Sequence, residues 1–271
     1  MNSSGQNSIV DFCVLIPCYN NQEGLLQSLE TVHYTAGKFH VVVVDDGSAT
    51  PVSKEQVLLR VGTNFPISIL RLEKNKGITH ALNHGLQWIY NNLNCKYVAR
   101  LDCNDTCHRD RFYKQIQSMD ANPLLLLSGV WCRFIREDGY SFIYKTPISR
   151  KGIWRGMYFR NLFIHPGIMF RHIINNSLLQ YSDNYPHAED YALAWTLMKT
   201  GEVTILDEVL VNCTINTKGI SESNRKIQIH SRKKIVQRIA VNNILGIIAR
   251  LYLFFLQIIP RKLILAYKLR K

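Results

Sequence analysis

The stretch Tyr97-Val98-Ala99-Arg100-Leu101-Asp102-Cys103-Asn104-Asp105 joins an apolar run to a group of oxygen-bearing side chains. The apolar run predicts a β-strand, and Asp102, Asn104 and Asp105 then follow its carboxyl end. Oxygen ligands in this arrangement indicate a site for a hard cation, Mg²⁺ or Mn²⁺. Such a cation would also bind a diphosphate, so the stretch predicts a protein that handles an activated nucleotide compound. The alternative is that these residues cap a helix that begins near Arg109.

The sequence before residue 122 alternates predicted strands with predicted helices. This alternation predicts an α/β fold with a doubly wound, mixed but mostly parallel sheet that binds its ligands at the carboxyl edge. The predicted strands are 11–17, 40–44, 67–72 and 97–101, and the predicted helices are 24–34 and 79–93. The later predictions are strands at 124–133, 140–146, 167–171 and 203–213, and a helix at 188–199 that ends before Gly201.

Composition is that of a globular protein, with 46% hydrophobic and 20% charged residues in a chain of 271. The seven cysteines form no CxxC pair, which favours reduced thiols in the cytoplasm over a disulfide framework or a zinc site. The first eight residues are polar, and we therefore expect no secretory signal.

Positive charge is concentrated at the carboxyl end of the chain. Residues 225–271 contain 12 of the 33 Lys and Arg residues and no acidic residue, whereas residues 1–224 contain 21 basic and 20 acidic residues. A nucleic-acid enzyme more often spreads its cations along a cleft, so we expect no nucleic-acid partner. The distribution predicts a domain at 1–224 and a basic, amphipathic helical tail at 225–271 that contacts an anionic membrane surface.

The tail is predicted to be helical from Arg232 onward. Its apolar stretch, 245–259, has 15 residues, and a spanning helix needs about 20. We favour a helix lying in the membrane interface, with a helix packed on the protein and a membrane span as the alternatives. The predicted apolar face consists of Ile235, Val236, Ile239, Ala240, Ile244, Ile247 and Leu251.

Two further groups of residues are candidates for a site at the same sheet edge. Asp45 and Asp46 end a buried strand and precede Gly47, so they can accept hydrogen bonds from a base or ribose, although Asp-Gly is also common in ordinary turns. Pro17 and Tyr19 follow the neighbouring strand, where the Tyr19 ring could stack on a base or pack within the protein. The GxGxxG and GxxxxGK[ST] motifs are both absent.

Two residues in the later part of the chain are also ambiguous at this level. Asp190 lies at the start of a predicted helix, where a carboxylate either interacts with the helix dipole or acts as a general base. His165 either faces the site or is a structural histidine.

Six motifs, in this order along the chain, resemble those of the family 2 glycosyltransferases of the GT-A fold. They cover about residues 10–215. The motifs are Val14-Leu15-Ile16-Pro17-Cys18-Tyr19-Asn20, Val43-Val44-Asp45-Asp46-Gly47-Ser48, Asn75-Lys76-Gly77-Ile78, Arg100-Leu101-Asp102-Cys103-Asn104-Asp105, His165-Pro166-Gly167-Ile168-Met169-Phe170-Arg171 and Ala188-Glu189-Asp190-Tyr191.

The resemblance implies a GT-A fold and an inverting transfer of a sugar from a nucleotide-diphosphate donor to a hydroxyl group. By position, Asp190 would be the catalytic base, and Asp102, Asn104 and Asp105 would bind Mn²⁺ or Mg²⁺. The residues implied to bind the nucleotide-sugar are Pro17, Tyr19, Asp45, Asp46, Asn75, Gly77 and Asp102.

The chain departs from the family pattern at Asn104, where the family usually has Asp. This leaves a catalytically inactive nucleotide-sugar-binding protein as an alternative. A nucleotidyltransferase is a more distant alternative, because it would need a Gly-rich loop bearing Arg or Lys after the first strand, where this chain has Pro17-Cys18-Tyr19-Asn20-Asn21.

The resulting hypothesis is a glycosyltransferase of bacterial type at the cytoplasmic face of the inner membrane, attached peripherally through its tail. It would transfer a sugar to a lipid-linked or saccharide acceptor during biosynthesis of a surface polysaccharide, such as the O-antigen of lipopolysaccharide, capsule or exopolysaccharide. Donor sugar, base and linkage stay open at this level.

Overall fold

The structure is a computed structural model that describes residues 8–62, 64–215, 224–239 and 244–258. The strands are β1 Ser8–Cys18, β2 Phe39–Asp45, β3 Ile67–Arg71, β4 Leu93–Arg100, β5 Thr106–Cys107, β6 Leu125–Arg136, β7 Ser141–Tyr144, β8 Met169–Phe170, β9 Ile173–Ile174, β10 Ser177–Leu178 and β11 Glu202–Ile215. The helices are α1 Gln22–Glu30, α2 Lys54–Val61, α3 Ile78–Asn92, α4 Arg111–Ala121, α5 Arg150–Met157, α6 Glu189–Thr200, α7 Arg225–Ile239 and α8 Ile244–Ile258.

One large sheet has the strand order β3-β2-β1-β4-β8-β6-β11-β5, with β7 paired to β6. The pairs among β3, β2, β1 and β4 are parallel, as is the pair of β6 with β11, whereas β8 is antiparallel to both β4 and β6. The predicted α/β fold with a mixed, mostly parallel sheet is therefore confirmed. Residues 41–44 of β2, four consecutive valines, are fully buried because helices cover both faces of the sheet.

The two faces of the sheet form separate apolar layers. Leu15 and Val44 face α3 and α6 on one side, whereas Val14 and Val43 face α1, α2 and α4 on the other. Helix α3 approaches the sheet closely at Gly85, where a Cβ atom would lie 2.4 Å from Cδ1 of Leu15. The absence of a side chain at this position lets α3 pack directly on β1.

Helix α7 packs against the rest of the protein, since Ile235 and Val236 are buried in the same apolar layer as α6. The Ser231 hydroxyl donates to the carbonyl oxygen of Pro186 at 2.8 Å and connects α7 to the loop before α6. The Arg225 guanidinium donates to the carbonyl oxygen of Leu256 at 2.8 Å and connects α7 to α8.

The predicted apolar face of the tail is divided between these two helices. Ile235 and Val236 are buried on α7, whereas Ile244, Ile247 and Leu251 are exposed on α8. Helix α8 buries its opposite side through Ala249 and Leu253. The residue Ala240 lies outside the described residues. Across the ranges that the structure describes, no helix is long and apolar enough to cross a bilayer.

The segment around Gly167, predicted as one strand over 167–171, has a different structure. His165–Gly167 forms a 3₁₀ turn, and only Met169–Phe170 pairs in the sheet. The Gly167 amide donates to the carbonyl oxygen of Ile164 at 2.8 Å, which places the preceding histidine beside the end of β4 instead of within a strand.

Candidate active site

The carboxyl ends of β1, β2 and β4 meet at one edge of the sheet. The register pairs Cys18 with Asp45 across β1 and β2, and Leu15 with Arg100 across β1 and β4. The loops that follow these three strands are therefore neighbours, and they contain most of the predicted nucleotide-sugar-binding residues. In a doubly wound sheet this edge is where ligands bind.

The Asp45 carboxylate organises the loop that follows β2. Its Oδ1 accepts from the Ser48 amide at 2.9 Å, and its Oδ2 accepts from the Val52 amide at 3.1 Å. The Arg71 guanidinium lies 3.5 Å from Oδ2, and the Asp45 side chain is buried. Asp45 therefore stabilises the wall of the cleft through the chain's own amides.

Asp46 connects the same loop to the start of α3. Its two carboxylate oxygens accept from the amides of Lys76 and Gly77 at 2.8 and 2.9 Å. The residue after Asp46 must be a glycine. Gly47 has φ +68°, and a Cβ atom there would lie 2.3 Å from the carbonyl carbon of Lys74. Asn75 is exposed beside this contact, and its side-chain oxygen accepts from the Gly77 amide at 3.1 Å.

The loop after β1 forms the opposite wall. The Asn20 amide donates to the Ser48 hydroxyl at 2.8 Å, which joins this loop to the one after β2. The Tyr19 side chain is 50% exposed, so its ring is available at the rim of the cleft. Pro17 lies beneath it, and its carbonyl oxygen accepts from the Cys103 thiol at 3.4 Å.

The loop with Asp102 and Asn104 lies on the amino end of α1. The Asn104 amide donates to the carbonyl oxygen of Gly24 at 2.9 Å. Asn104 has φ +73°, a left-handed conformation that Asn adopts more readily than most residues. The residue before α4 is Asp110, and the interpretation of Asp102, Asn104 and Asp105 as caps of that helix is therefore wrong.

Asp105 faces the protein interior. Its Oδ1 accepts from the Thr214 amide of β11 at 2.9 Å, and the residue is 6% exposed. Burial, and next the negative charge of Asp102, raise the pKa of the Asp105 carboxyl well above its usual range. A neutral carboxyl is a poor cation ligand unless a cation displaces its proton.

The Asp102 carboxylate is 34% exposed, and its Oδ1 lies 2.5 Å from the Arg100 guanidinium. Within the described residues no hydrogen bond is made to its Oδ2, and no group of three or more His, Cys, Asp or Glu side chains could hold a metal ion. This donor set fits Mg²⁺ or Mn²⁺ bound through one or two protein oxygens, with substrate phosphates and water completing the coordination.

Arg100 is a fully buried cation at the centre of the cleft floor. Its Nε donates to Nε2 of His165 at 3.4 Å, and the Tyr181 hydroxyl lies 2.9 Å from the same nitrogen. Because a guanidinium can only donate, Nε2 accepts, and the imidazole is neutral with its proton on Nδ1. Burial and the charge of Arg100 accordingly lower the pKa of His165 to about 4.

Asp190 lies at the amino end of α6, on the other side of this group. Its Oδ2 accepts from the Asn161 side chain at 2.9 Å, and its Oδ1 accepts from the Tyr191 amide at 2.7 Å. Both hydrogen bonds fix the orientation of the carboxylate. The charges of Asp102 and Asp190 both raise the pKa of His165 against the larger effect of burial, so both predicted carboxylates act electrostatically on the same buried histidine.

Sequence analysis assigned no role to Arg100, Asn161 or Tyr181, although all three contact the site. Only Arg100 carries a signal in the sequence. It is a charged residue in an otherwise apolar strand, and a buried arginine needs hydrogen-bond acceptors close by. Asn161 and Tyr181 lie outside the six motifs, and only the fold brings them to His165 and Asp190.

Glu189 provides a test of this electrostatic arrangement. It is buried, and its Oε2 has no hydrogen-bond partner among the described residues. Burial, and next the charge of Asp190, raise the pKa of Glu189 from 4.5 to about 7. The folded state therefore disfavours ionisation, and this cost to stability appears as the pH rises from about 4.5 to about 7.

We expect Glu189→Gln to increase the free energy of unfolding at pH 8 by about 2–3 kcal/mol, and to give no such increase at pH 4. Urea unfolding at both pH values measures the difference. Glu137→Gln, on an exposed turn, is the matched control. An equal effect of Glu189→Gln at both pH values would contradict a raised pKa of Glu189 in the folded protein.

Comparison with known proteins gives the family directly. The sequence profile of Glycosyl transferase family 2 matches residues 13–180. The amylovoran biosynthesis glycosyltransferase AmsE of Erwinia amylovora is 35% identical over 208 residues, which are 74% of each chain. A UDP-Gal:alpha-D-GlcNAc-diphosphoundecaprenol beta-1,3-galactosyltransferase of Escherichia coli is 28% identical over 67% of this chain and 66% of its own.

Solved structures show the same fold. S. aureus TarS in complex with UDP-GlcNAc superposes with a TM-score of 0.63 at 18% identity, over 86% of this chain and 67% of that chain. The mannosyltransferase PcManGT of Pyrobaculum calidifontis, in complex with GDP-Man and Mn²⁺, superposes with a TM-score of 0.64 at 15% identity, over 90% of this chain and 70% of that chain. These likenesses confirm the predicted GT-A fold. The protein belongs to glycosyl transferase family 2.

Proposed function

We propose that the protein is an inverting, metal-dependent glycosyltransferase in the biosynthesis of a bacterial surface glycan. It moves a sugar from a nucleotide-diphosphate donor to a hydroxyl of a lipid-linked or saccharide acceptor. The observation that carries the proposal is that two carboxylates act on one buried group. Asp102, at the end of β4, pairs with Arg100, and the charge of Asp190, at the start of α6, acts on His165 and Tyr181. One carboxylate is thereby available for the donor side and the other for the acceptor side.

On the donor side, the ordered loops provide the nucleotide site. Asp45 and Asp46 are buried and bonded to backbone amides, so they hold in place the loops that would receive the base and ribose. Pro17, Tyr19, Asn75 and Gly77 complete the walls of this cleft. A divalent cation held by Asp102, with Asn104 and Asp105 beside it, would offset the negative charge that develops on the leaving diphosphate.

On the acceptor side, Asp190 accepts the proton of the attacking hydroxyl. The new bond forms between the acceptor oxygen and the anomeric carbon, while the bond from that carbon to the diphosphate breaks on the opposite face. Asn161 and the Tyr191 amide hold the Asp190 carboxylate in place during this step. A single displacement inverts the anomeric configuration and needs only one base.

An inactive nucleotide-sugar-binding protein is the second candidate function, because Asn104 replaces the usual Asp. The left-handed backbone of Asn104 gives a structural reason for an amide there. The amide oxygen remains a possible ligand for a hard cation.

We expect Asp190→Asn to lower kcat by about 10²–10⁴-fold, because a general base contributes about that factor. Donor binding, measured by thermal shift with a nucleotide-sugar, should be almost unchanged. Asp207→Asn, an exposed aspartate on β11, is the matched control. Equal turnover by Asp190→Asn and wild type would remove Asp190 from the mechanism.

A thermal-shift screen with nucleotide-sugars, with and without Mn²⁺, tests the donor side. We expect Mn²⁺ to enhance stabilisation by one nucleotide class, and Asp102→Asn to raise the Mn²⁺ concentration needed by at least about 10-fold. Asp183→Asn, at an exposed site, should behave as wild type. No stabilisation by any donor would contradict the transferase proposal itself.

The membrane part of the proposal rests on the surface of α7 and α8. Helix α8 exposes Ile247, Leu251 and Phe255 on one side. The described parts of both helices contain six Lys or Arg on α7 and Arg250 on α8, and no acidic residue. Apolar side chains beside uncompensated cations favour an anionic bilayer surface, which supports a peripheral position on the cytoplasmic face of the membrane.

We expect the triple change Ile247→Ser, Leu251→Ser and Phe255→Ser to lower binding to anionic phospholipid vesicles by at least about 10-fold, because less apolar area enters the interface. Vesicle sedimentation measures the binding. Leu59→Ser, at the most exposed leucine of α2, is the control and should bind as wild type. Unchanged sedimentation of the triple variant would exclude this face as the membrane contact.

A further inference from the structure

A cationic and aromatic group of side chains surrounds Tyr144 of β7, and we call Tyr144, Arg160, Arg232 and Tyr252 the Tyr144 cluster. The Arg160 guanidinium lies 4.8 Å from the centroid of the Tyr144 ring. The charges of Arg160 and Arg232 both lower the pKa of Tyr144 against the larger effect of burial, and Tyr252 also acts on it. Three separate segments of the chain therefore meet around the Tyr144 hydroxyl.

The tail completes this cluster. The Arg232 guanidinium donates to the carbonyl oxygen of Phe159 and lies 5.7 Å from the centroid of the Tyr191 ring. The Tyr252 ring of α8 packs edge-on against Phe159, with centroids 5.7 Å apart. Helices α7 and α8 thus place a cation and an aromatic ring at the segment that leads from α5 towards the acceptor side of the cleft.

Among the described residues, no carboxylate neutralises the positive charge of this cluster. In the described ranges, neither Arg160 nor Arg232 forms an ion pair with a carboxylate. The Nε atom of Arg232 is buried and has no acceptor there. Two guanidinium groups that act on the same tyrosine, with no carboxylate partner among the described residues, form a site for an anion with several oxygens, because planar guanidinium groups match phosphate geometry.

The cluster is directly connected to the proposed base. Arg160 precedes Asn161, whose side chain holds Asp190, and Arg232 covers the ring of Tyr191, the residue after Asp190. The cluster and Asp190 are thus linked through the adjacent residue pairs 160–161 and 190–191, and an acceptor could contact both. Phosphate groups on the far side of that acceptor's sugar would meet the two guanidinium groups.

An apolar surface begins where the cluster ends. The ammonium group of Lys233 lies 5.7 Å from the centroid of the Phe254 ring, and Tyr252, Phe254 and Phe255 are exposed along α8. Together, Asp190, the Tyr144 cluster and α8 offer a carboxylate for a hydroxyl, two guanidinium groups for phosphate, and apolar side chains for hydrocarbon.

We propose that the Tyr144 cluster binds the diphosphate of a lipid-linked sugar acceptor, so that the sugar hydroxyl reaches Asp190 and the lipid chain lies along α8. The inference rests on the proposed transferase function and narrows its acceptor to the lipid-diphosphate class. A growing polysaccharide without a phosphate link would leave these guanidinium groups unused.

The test measures binding in neutral detergent micelles without any nucleotide-sugar, so that it is independent of transfer. The three probes are farnesyl diphosphate, farnesol and inorganic pyrophosphate. We expect tight binding of farnesyl diphosphate alone, since farnesol lacks the anion and pyrophosphate lacks the apolar chain. Equal affinity for pyrophosphate and farnesyl diphosphate would overturn the lipid part of the proposal.

Arg160→Gln is the informative variant, because Arg160 is exposed and its replacement leaves the apolar layers intact. We expect it to weaken binding of farnesyl diphosphate by about 10- to 100-fold, the usual effect of losing a hydrogen bond from a charged donor. Arg160→Lys should recover part of the affinity. Arg136→Gln is the matched control, because Arg136 also lies over a tyrosine ring, that of Tyr140, but is paired with Asp138.

Equal affinities of the Arg160→Gln and Arg136→Gln variants for farnesyl diphosphate would overturn the proposal that the Tyr144 cluster binds the diphosphate. Thermal shift with nucleotide-sugars, run on the same proteins, separates this failure from failure of the proposed function. Donor binding without farnesyl diphosphate binding would refute only the acceptor site. Arg160-dependent binding of farnesyl diphosphate by a protein that binds no donor would retain the lipid site but refute the transferase.

Discussion

The buried guanidinium of Arg100 is the interaction on which the arrangement of the site depends. A cation without solvent needs an acceptor for each donor, and the loss of one partner of a buried pair costs about 3–5 kcal/mol. Arg100 finds these acceptors in the carbonyl oxygens of Leu15 and Leu101, in Asp102 and in Nε2 of His165. Satisfying one buried charge therefore sets the relative positions of β1, the Asp102 loop and the 3₁₀ turn at His165. The proposed donor and acceptor sides of the cleft therefore share Arg100 as a common buried contact.

A second buried arginine, behind the site, also bonds backbone carbonyl oxygens from different segments of the chain. Arg111 of α4 donates to the carbonyl oxygen of Arg100 at 2.8 Å, and Gln115, one turn later, donates to the carbonyl oxygens of Ser128 and Gly167 at 3.1 Å. These bonds hold α4 under the point where the short antiparallel strand β8 enters between β4 and β6. Backbone groups that a two-residue strand cannot satisfy are bonded by side chains instead. The irregular part of the sheet is thus stabilised by polar contacts in the interior.

Local patterns in the sequence were sufficient for the regular elements. Runs such as the four valines at 41–44 have apolar residues on both faces, which only a covered parallel strand explains. The short helices α2 and α5 were not predicted, since eight residues give little periodicity. The tail was predicted as a helix with one apolar face, but Ile235 faces the core and Ile247 faces solvent. Hydrophobicity alone does not distinguish a side chain that packs on the protein from one that remains outside.

The sequence by itself determined the fold class and the family, because strand runs and short motifs at strand ends depend on neighbouring residues only. It also identified Asp102 at a strand end and Asp190 at a helix start as candidates, but it did not bring the two together. Tertiary structure alone decided that both carboxylates act on His165 through their charge, that Asp105 faces inward to Thr214, and that Arg160 and Arg232 act on Tyr144. These contacts join residues that are distant in the chain, and their energies depend on burial and charge, which exist only after the layers have packed.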